Sequence, residues 1–164
     1  MNQTLIGRKE EMGMLKKYFH SNRSEFIAVY GRRRVGKTFL IRKAAEEQFA
    51  FYVTGVHGAS KSEQLTNFAI ALQKHTKSAS LSVPKNWILA FYALSNYLET
   101  LPDGPKLIFI DELPWMDTAK SGFIPALIGI FVTIKIEQKA GYYQCKHCKN
   151  TYVPTFKAAA FSMH

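Results

Sequence analysis

The sequence predicts an α/β sandwich built on a parallel sheet. Three observations carry that prediction: a glycine-rich loop between an apolar strand and a helix, a second apolar strand that ends in two carboxylates, and an alternation of strand-like and helix-like runs across residues 1–126. Strands that alternate with helices pack those helices onto the faces of a parallel sheet.

In chain order, a helix is expected near Arg8 to His20, with Glu10 and Glu11 placed where acids favour the N-terminal dipole. The apolar run Phe26-Ile27-Ala28-Val29-Tyr30 reads as the first strand. Directly after it, Gly31-Arg32-Arg33-Arg34-Val35-Gly36-Lys37-Thr38 fits the pattern G-x-x-x-x-G-K-[ST] without a mismatch. The two glycines let the backbone curl until successive N–H groups point inward at phosphate oxygens, and the following helix adds its dipole. Those eight residues are therefore the candidate nucleotide-binding set. Lys37 would reach the β and γ phosphates, which makes it a candidate catalytic residue, and the Thr38 hydroxyl would turn toward a Mg²⁺ ion bridging them. Phe39-Leu40-Ile41 and Ala44-Ala45 carry a helix onward toward Phe49. A glycine turn that holds no ligand is the competing reading, and the strand, loop and helix order weighs against it.

Ala50 to Thr54 reads as the second strand. Ser60-x-x-Glu63 resembles a capping box that opens a helix, in which Leu65, Phe68, Ala69 and Leu72 share one face. Phe91, Leu94, Leu98 and Leu101 repeat the stripe in a further helix, ended by Pro102-Asp103-Gly104-Pro105. Both stripes read as core. Leu107-Ile108-Phe109-Ile110-Asp111-Glu112 is then a continuous apolar run, as expected of a strand buried on both faces, with its acids at the carboxyl end where open parallel sheets bind ligands. This is the Walker B pattern. Asp111 is the candidate Mg²⁺ anchor, and Glu112 the candidate catalytic base for the attacking water.

Gly7-Arg8-Lys9-Glu10-Glu11 followed by Leu15, the loop Gly31 to Thr38, and Asp111-Glu112-Leu113-Pro114-Trp115 together resemble the archaeal-type ATPase family, a branch of the P-loop ATPases related to the AAA and STAND groups. The resemblance covers roughly residues 1–125. It implies a P-loop NTPase three-layer sandwich, ATP and Mg²⁺ as ligands, and hydrolysis of ATP to ADP and phosphate. It also implies that the Gly7-Arg8 box lies near the adenine; an ordinary helix start is the alternative reading of the same residues. A complete ATPase of this kind continues past the Walker B strand with a helix, a central strand bearing a polar sensor, another strand and a helical lid. Here 39 residues follow Pro125. The fold is therefore expected to be incomplete at its C-terminus, and an exposed sheet edge predicts aggregation or a second protein chain that completes the fold, unless residues 127–136 complete the sheet themselves.

Composition changes near residue 127. Leu127-Ile128-Gly129-Ile130-Phe131-Val132-Thr133-Ile134 is dense in β-branched and aromatic residues, so residues 127–136 are expected as a sheet strand, with Thr133 in the sensor position, or as a hairpin arm. Residues 127–164 are thus expected to be a β-rich basic tail attached to a partial ATPase core, residues 1–126. Within the tail, Tyr143-x-Cys145-x-x-Cys148 with Tyr152-Val153-Pro154 resembles the first knuckle of a zinc ribbon. Cys145 and Cys148 would grip Zn²⁺ from a tight turn, but a structural zinc site takes four ligands and no second pair is present. Another chain, or a segment beyond His164, would have to supply it. A redox dithiol needs its own strand-to-helix setting, which is missing here.

The formal net charge of +10 is uneven. Residues 1–60 hold 11 basic and 5 acidic side chains, residues 61–126 hold 6 and 6, and residues 127–164 hold 5 and 1. Arg32, Arg33 and Arg34 explain part of the first excess, since cations beside an anionic nucleotide need no nucleic acid. The basic tail with Tyr142, Tyr143, Tyr152 and Phe156 suits contact with nucleic-acid phosphates and base stacking, or is simply a solvated face. Two cysteines and no secretory or membrane-spanning signal read as cytoplasmic, and the longest apolar stretch, near residues 123–134, is too short to cross a bilayer. No guanine-reading Asn-Lys-x-Asp pattern occurs, which favours ATP. The sequence therefore supports an ATP-binding protein that acts as a Mg²⁺-dependent ATPase. The alternatives are a truncated or fused ATPase fragment that binds nucleotide without turnover, and a zinc-knuckle module that binds nucleic acid.

Overall fold

The structure, a computed structural model, describes residues 7–21, 25–32, 34–134, 142–143, 153–154 and 158–163. In chain order its elements are α1 (Lys9–Phe19), β1 (Phe26–Gly31), α2 (Lys37–Ala44), β2 (Phe51–Thr54), α3 (Lys61–Thr76), α4 (Trp87–Glu99), β3 (Ile108–Asp111), α5 (Leu113–Met116), α6 (Phe123–Ile134), β4 (Tyr142–Tyr143), β5 (Val153–Pro154) and β6 (Ala158–Met163). They fall into two compact units, Met1–Gln48 with Ala140–His164, and Phe49–Lys139.

In the first unit, α1 starts from a left-handed Arg8, with φ at 59°, and carries Glu10 and Glu11 in its first turn and Lys16 and Lys17 in its last. Those charges complement the helix dipole at both ends. Leu15 is the buried residue of α1 and packs with Leu40 and Ala44 of α2; Ile27, Val29 and Val35 close over this small core. β1 pairs in parallel with β6, with Phe26 opposite Ala158 and Gly31 opposite Met163. The C-terminal segment thus returns to the strand that leads into the phosphate-loop sequence. A second pair, β4 with β5, is antiparallel.

The helix expected to run toward Phe49 stops at Ala44. Glu46 and Glu47 both take positive φ, 51° and 60°, so the ladder cannot continue, and their N–H groups turn back to the carbonyls of Lys43 and Arg42. Wrapping N–H groups back onto the last carbonyls is how helix ends satisfy acceptors that have no partner within the helix.

The second unit is built on β2 and β3, which pair in parallel with Phe51 opposite Ile108 and Thr54 opposite Asp111. Gly55 extends the ladder one step, its N–H donating to Asp111 O at 2.9 Å. α3 opens with the capping box that the sequence predicts. The Ser60 hydroxyl accepts from Glu63 N, and the Glu63 carboxylate accepts from Ser60 N at 2.7 Å. The Ser60 hydroxyl and then its backbone N–H, both donating to that carboxylate, hold the Glu63 pKa below its usual value. α4 is capped by the Asn86 side chain, which accepts from Leu89 N at 2.9 Å. Its buried stripe begins earlier than the sequence reading placed it, at Trp87, and includes Ala90, Phe91, Leu94 and Leu98. Leu101 lies past the end of the helix and packs half-buried against the core.

An aromatic cluster forms the centre of this core. Phe68 meets Phe51, Trp87 and Phe91 at centroid distances of 5.0, 5.7 and 5.6 Å, and Trp87 stands edge-on to Phe123 at 4.8 Å. Each such ring, fully buried, stabilises the fold by about 1.5–3 kcal/mol. Phe123 belongs to α6, and here the sequence expectation is overturned. Residues 127–134, expected as a strand or hairpin arm, continue a helix that begins at Phe123, so Thr133 is not on a sheet strand. Phe123, Ala126 and Leu127 recur at helical spacing and are buried against the cluster, and the Ser121 hydroxyl accepts from Phe123 N at the helix start. Burial of that face outweighs the β preference of the branched residues beyond it. Residues 135 and 136 lie outside the described residues.

Candidate functional site

On the phosphate-loop side, β1 delivers the chain to Gly31 at its C-terminal edge, and α2 starts six residues later at Lys37. Arg34 and Gly36 both take positive φ, 64° and 83°, which turns the backbone sharply into the helix; Gly36 is the N-cap. At Gly36 this conformation is the one a side chain resists, which accounts for the second glycine of the motif. Leu40 N donates to Gly36 O at 2.9 Å and closes the first helical turn. Val35 is half-buried against Leu15, Leu40 and Ala44, so one side chain of the loop is fastened to the core while Arg32 and Arg34 stay exposed. The Lys37 ammonium folds back over the loop and donates to Arg32 O at 2.8 Å and Gly31 O at 3.1 Å. Thr38 sits half-buried in the first turn of α2. Arg33 lies outside the described residues, as do Cys145 and Cys148. Gly7 and Arg8 form the start of α1, in the same unit as the loop.

On the acid side, Asp111 ends β3 and its carboxylate accepts from the N–H of Glu112 at 3.0 Å. Glu112 is exposed and left-handed, with φ at 50° and ψ at 39°, and serves as N-cap of the short helix α5 with Pro114 in its first turn. A non-glycine residue in this region is uncommon and needs support from its surroundings. That support comes from two residues that the sequence reading did not single out. Gly55 lies directly beneath the Glu112 carbonyl. Gln64 of α3 is fully buried and makes three hydrogen bonds: its amide nitrogen donates to Val56 O at 2.6 Å and to Trp115 O at 2.9 Å, and its oxygen accepts from Val56 N at 3.1 Å. One side chain thereby ties the exit of β2 to the turn that carries Glu112. His57 stands edge-on to Trp115 at 4.9 Å on the same tie. A Gln one position before the apolar Leu65, at the head of a helix, was the only sequence signal available for this residue.

The outer edge of β2 is closed by α3. Tyr52 N donates to His75 Nε2 at 3.2 Å, and the Asn67 amide donates to Thr54 O at 2.7 Å. Burial disfavours the charged imidazolium and holds the His75 pKa below 6.5.

Lys37, Thr38 and the loop glycines thus belong to one unit and Asp111 and Glu112 to the other, each group at the carboxyl end of its strand. Among the described residues no three His, Cys, Asp or Glu side chains gather as a metal-binding group. Mg²⁺ does not need such a cluster, because it is commonly held by one or two carboxylates with water and phosphate oxygens. Among the described residues no helix is long and apolar enough to cross a membrane.

Residues 5–142 match a family model described as an ATPase domain predominantly from Archaea. The chain belongs to that family. Its relatives include an uncharacterised protein of Methanocaldococcus jannaschii, 34% identical over 109 residues that cover 66% of this chain and 22% of the relative. A second relative, from the same organism and named as an uncharacterised ATP-binding protein, is 46% identical over 43 residues, 26% of this chain and 73% of the relative. The chain described here therefore spans 22% of the first relative's length. No solved structure matches it.

Proposed function

We propose that the chain binds ATP through Gly31–Thr38 and hydrolyses it to ADP and phosphate in a Mg²⁺-dependent reaction. The observation that carries this reading is the ammonium of Lys37 lying across the loop on two main-chain carbonyls, at 2.8 and 3.1 Å. A cation held there by neutral acceptors gains from exchanging them for anionic phosphate oxygens. Arg32 and Arg34 add positive charge at the loop surface, and the N-terminus of α2 presents N–H groups to the same region.

The remaining roles follow the family pattern. Thr38 and Asp111 would hold Mg²⁺, which would neutralise charge on the phosphates. Glu112 orients the attacking water and accepts its proton, a task suited to a carboxylate on a fixed turn at a strand's carboxyl end. Gly31, Arg32, Arg33, Arg34, Val35 and Gly36 form the cradle, and the fold is read as a P-loop sandwich with β2 and β3 as part of its parallel sheet.

Calorimetric titration with Mg-ATP, with a Lys37→Ala control, tests the binding half of this reading. Saturable binding that the control loses supports it, and no binding by folded protein sinks it. Glu112→Gln tests the hydrolytic half. That variant is expected to keep ATP bound and release no phosphate; turnover equal to the parent would remove Glu112 from the base role.

A further inference from the structure

A groove of about 700 Å³ opens in the Phe49–Lys139 unit, far along α3 from the turn that carries Glu63. The C-terminal half of α3 and the N-terminal half of α4 form two of its walls, and the connection Ser78–Lys85 forms the third. Leu72, Val83, Leu89 and Ala93 supply apolar surface inside it. Large apolar side chains continue outward from its lip. Leu81 and Val83 of the connection are 44% exposed, and Ile88 and Tyr92 on the adjoining face of α4 are 70% and 65% exposed. Contiguous apolar surface of this kind on a soluble fold marks an interaction site more often than isolated exposed residues do.

The charge around the groove has one sign. From Gln64 to Leu98 the chain contains Lys74, Lys77 and Lys85 and neither Asp nor Glu. The flanking acids, Glu63 in the first turn of α3 and Glu99 at the end of α4, belong to the parts of those helices that do not line the groove. Nothing in the nucleotide reaction described above uses this surface.

We propose that the groove is a docking site for an acidic amphipathic helix of another protein. A groove between two helices with apolar residues in it receives a third helix through anchors spaced three and four residues apart. Lys85 is the one charged residue that lines the groove and Lys77 sits between the lining residues Thr76 and Ser78, so a partner whose polar face is rich in Asp and Glu is favoured over a basic one. The concavity distinguishes this surface from a membrane-binding face, because a flat bilayer does not follow the recess between α3, α4 and their connection.

The test begins with selection of a random peptide display library on the intact protein, with counter-selection on a Lys77→Glu/Lys85→Glu variant. Enrichment of Leu or Phe at helical spacing interleaved with Asp and Glu is expected. The enriched peptide, labelled with fluorescein, is then titrated by anisotropy. Its affinity should weaken about tenfold or more in Lys77→Glu/Lys85→Glu and in Val83→Asp, and fall with added salt. Thermal midpoints matching the parent show that both variants remain folded. Lys37→Ala should bind the peptide as the parent does, so failure of the ATP reading leaves this result untouched. An enriched set without acidic bias, or affinity unchanged by both variants, overturns the proposal. So does flotation with phosphatidylglycerol vesicles that the same variants abolish while no peptide is enriched.

Discussion

The main-chain oxygen of Glu112 stands 2.6 Å from the point that a β-carbon on Gly55 would occupy, and the Met116 side chain stands 2.9 Å from it. The strand that precedes Gly55 and the turn that presents the second acid are packed so closely that only a hydrogen fits between them. Gly55→Ala must push the turn away or distort it. A loss of about 1–3 kcal/mol in unfolding free energy is expected, read from urea titration, as for other overpacked sites. A midpoint equal to the parent would show that the Glu112 turn yields freely.

Gln64 gives a second prediction. Gln64→Leu keeps much of the volume but leaves Val56 N–H, Val56 C=O and Trp115 C=O without the partner each has now. A cost of about 2–4 kcal/mol is expected from these buried unpaired groups. Because Trp115 N also donates to Glu112 O at 3.0 Å, the same change should reduce phosphate release more than it weakens ATP binding. Equal losses in both would place the effect on folding alone.

His75 should make the Phe49–Lys139 unit sensitive to acid. Its pKa in the folded chain lies below the ordinary 6.5, so the unfolded chain takes up the proton first as pH falls. The contribution of His75 is therefore complete above about pH 6.5 and declines as pH drops from there toward the folded value. Protonation of Nε2 also removes the acceptor for Tyr52 N. His75→Gln, which does not titrate in this range, is expected to flatten that part of the stability profile; an unchanged profile would discharge His75 from the role.

Ser60→Ala removes a cap whose geometry is complete, with both arms of the box formed. About 1 kcal/mol of stability is expected to go with it, measured as a shift in the thermal midpoint.

Much of this architecture was legible because it rests on local rules. The turn at Gly36 into α2, the Ser60 cap and the apolar run into Asp111 are short patterns whose physics is contained within a few residues, and each forms where the sequence places it. α6 was misread because Leu127 to Ile134 carries strand-like residues, and only the contact of Phe123 with Trp87 reveals which face is buried. Gly55 and Gln64 escaped notice for a related reason. A single glycine after a strand and a single glutamine in a helix acquire meaning only when residues 57 and 51 positions away in the chain, respectively, arrive beside them. The short reach of α2 was hidden in Glu46 and Glu47, whose left-handed backbone no composition rule announces.

With His75 and Asn67 seated along the outer side of β2, the Phe49–Lys139 sheet has one sealed margin. A strand that joined on this side would have to displace both side chains from Tyr52 N and Thr54 O, so addition on the β3 side is favoured. Growth of the sheet is thus directional. With β2 terminal, the acids at the end of β3 lie on the inner seam of a sheet enlarged on that side.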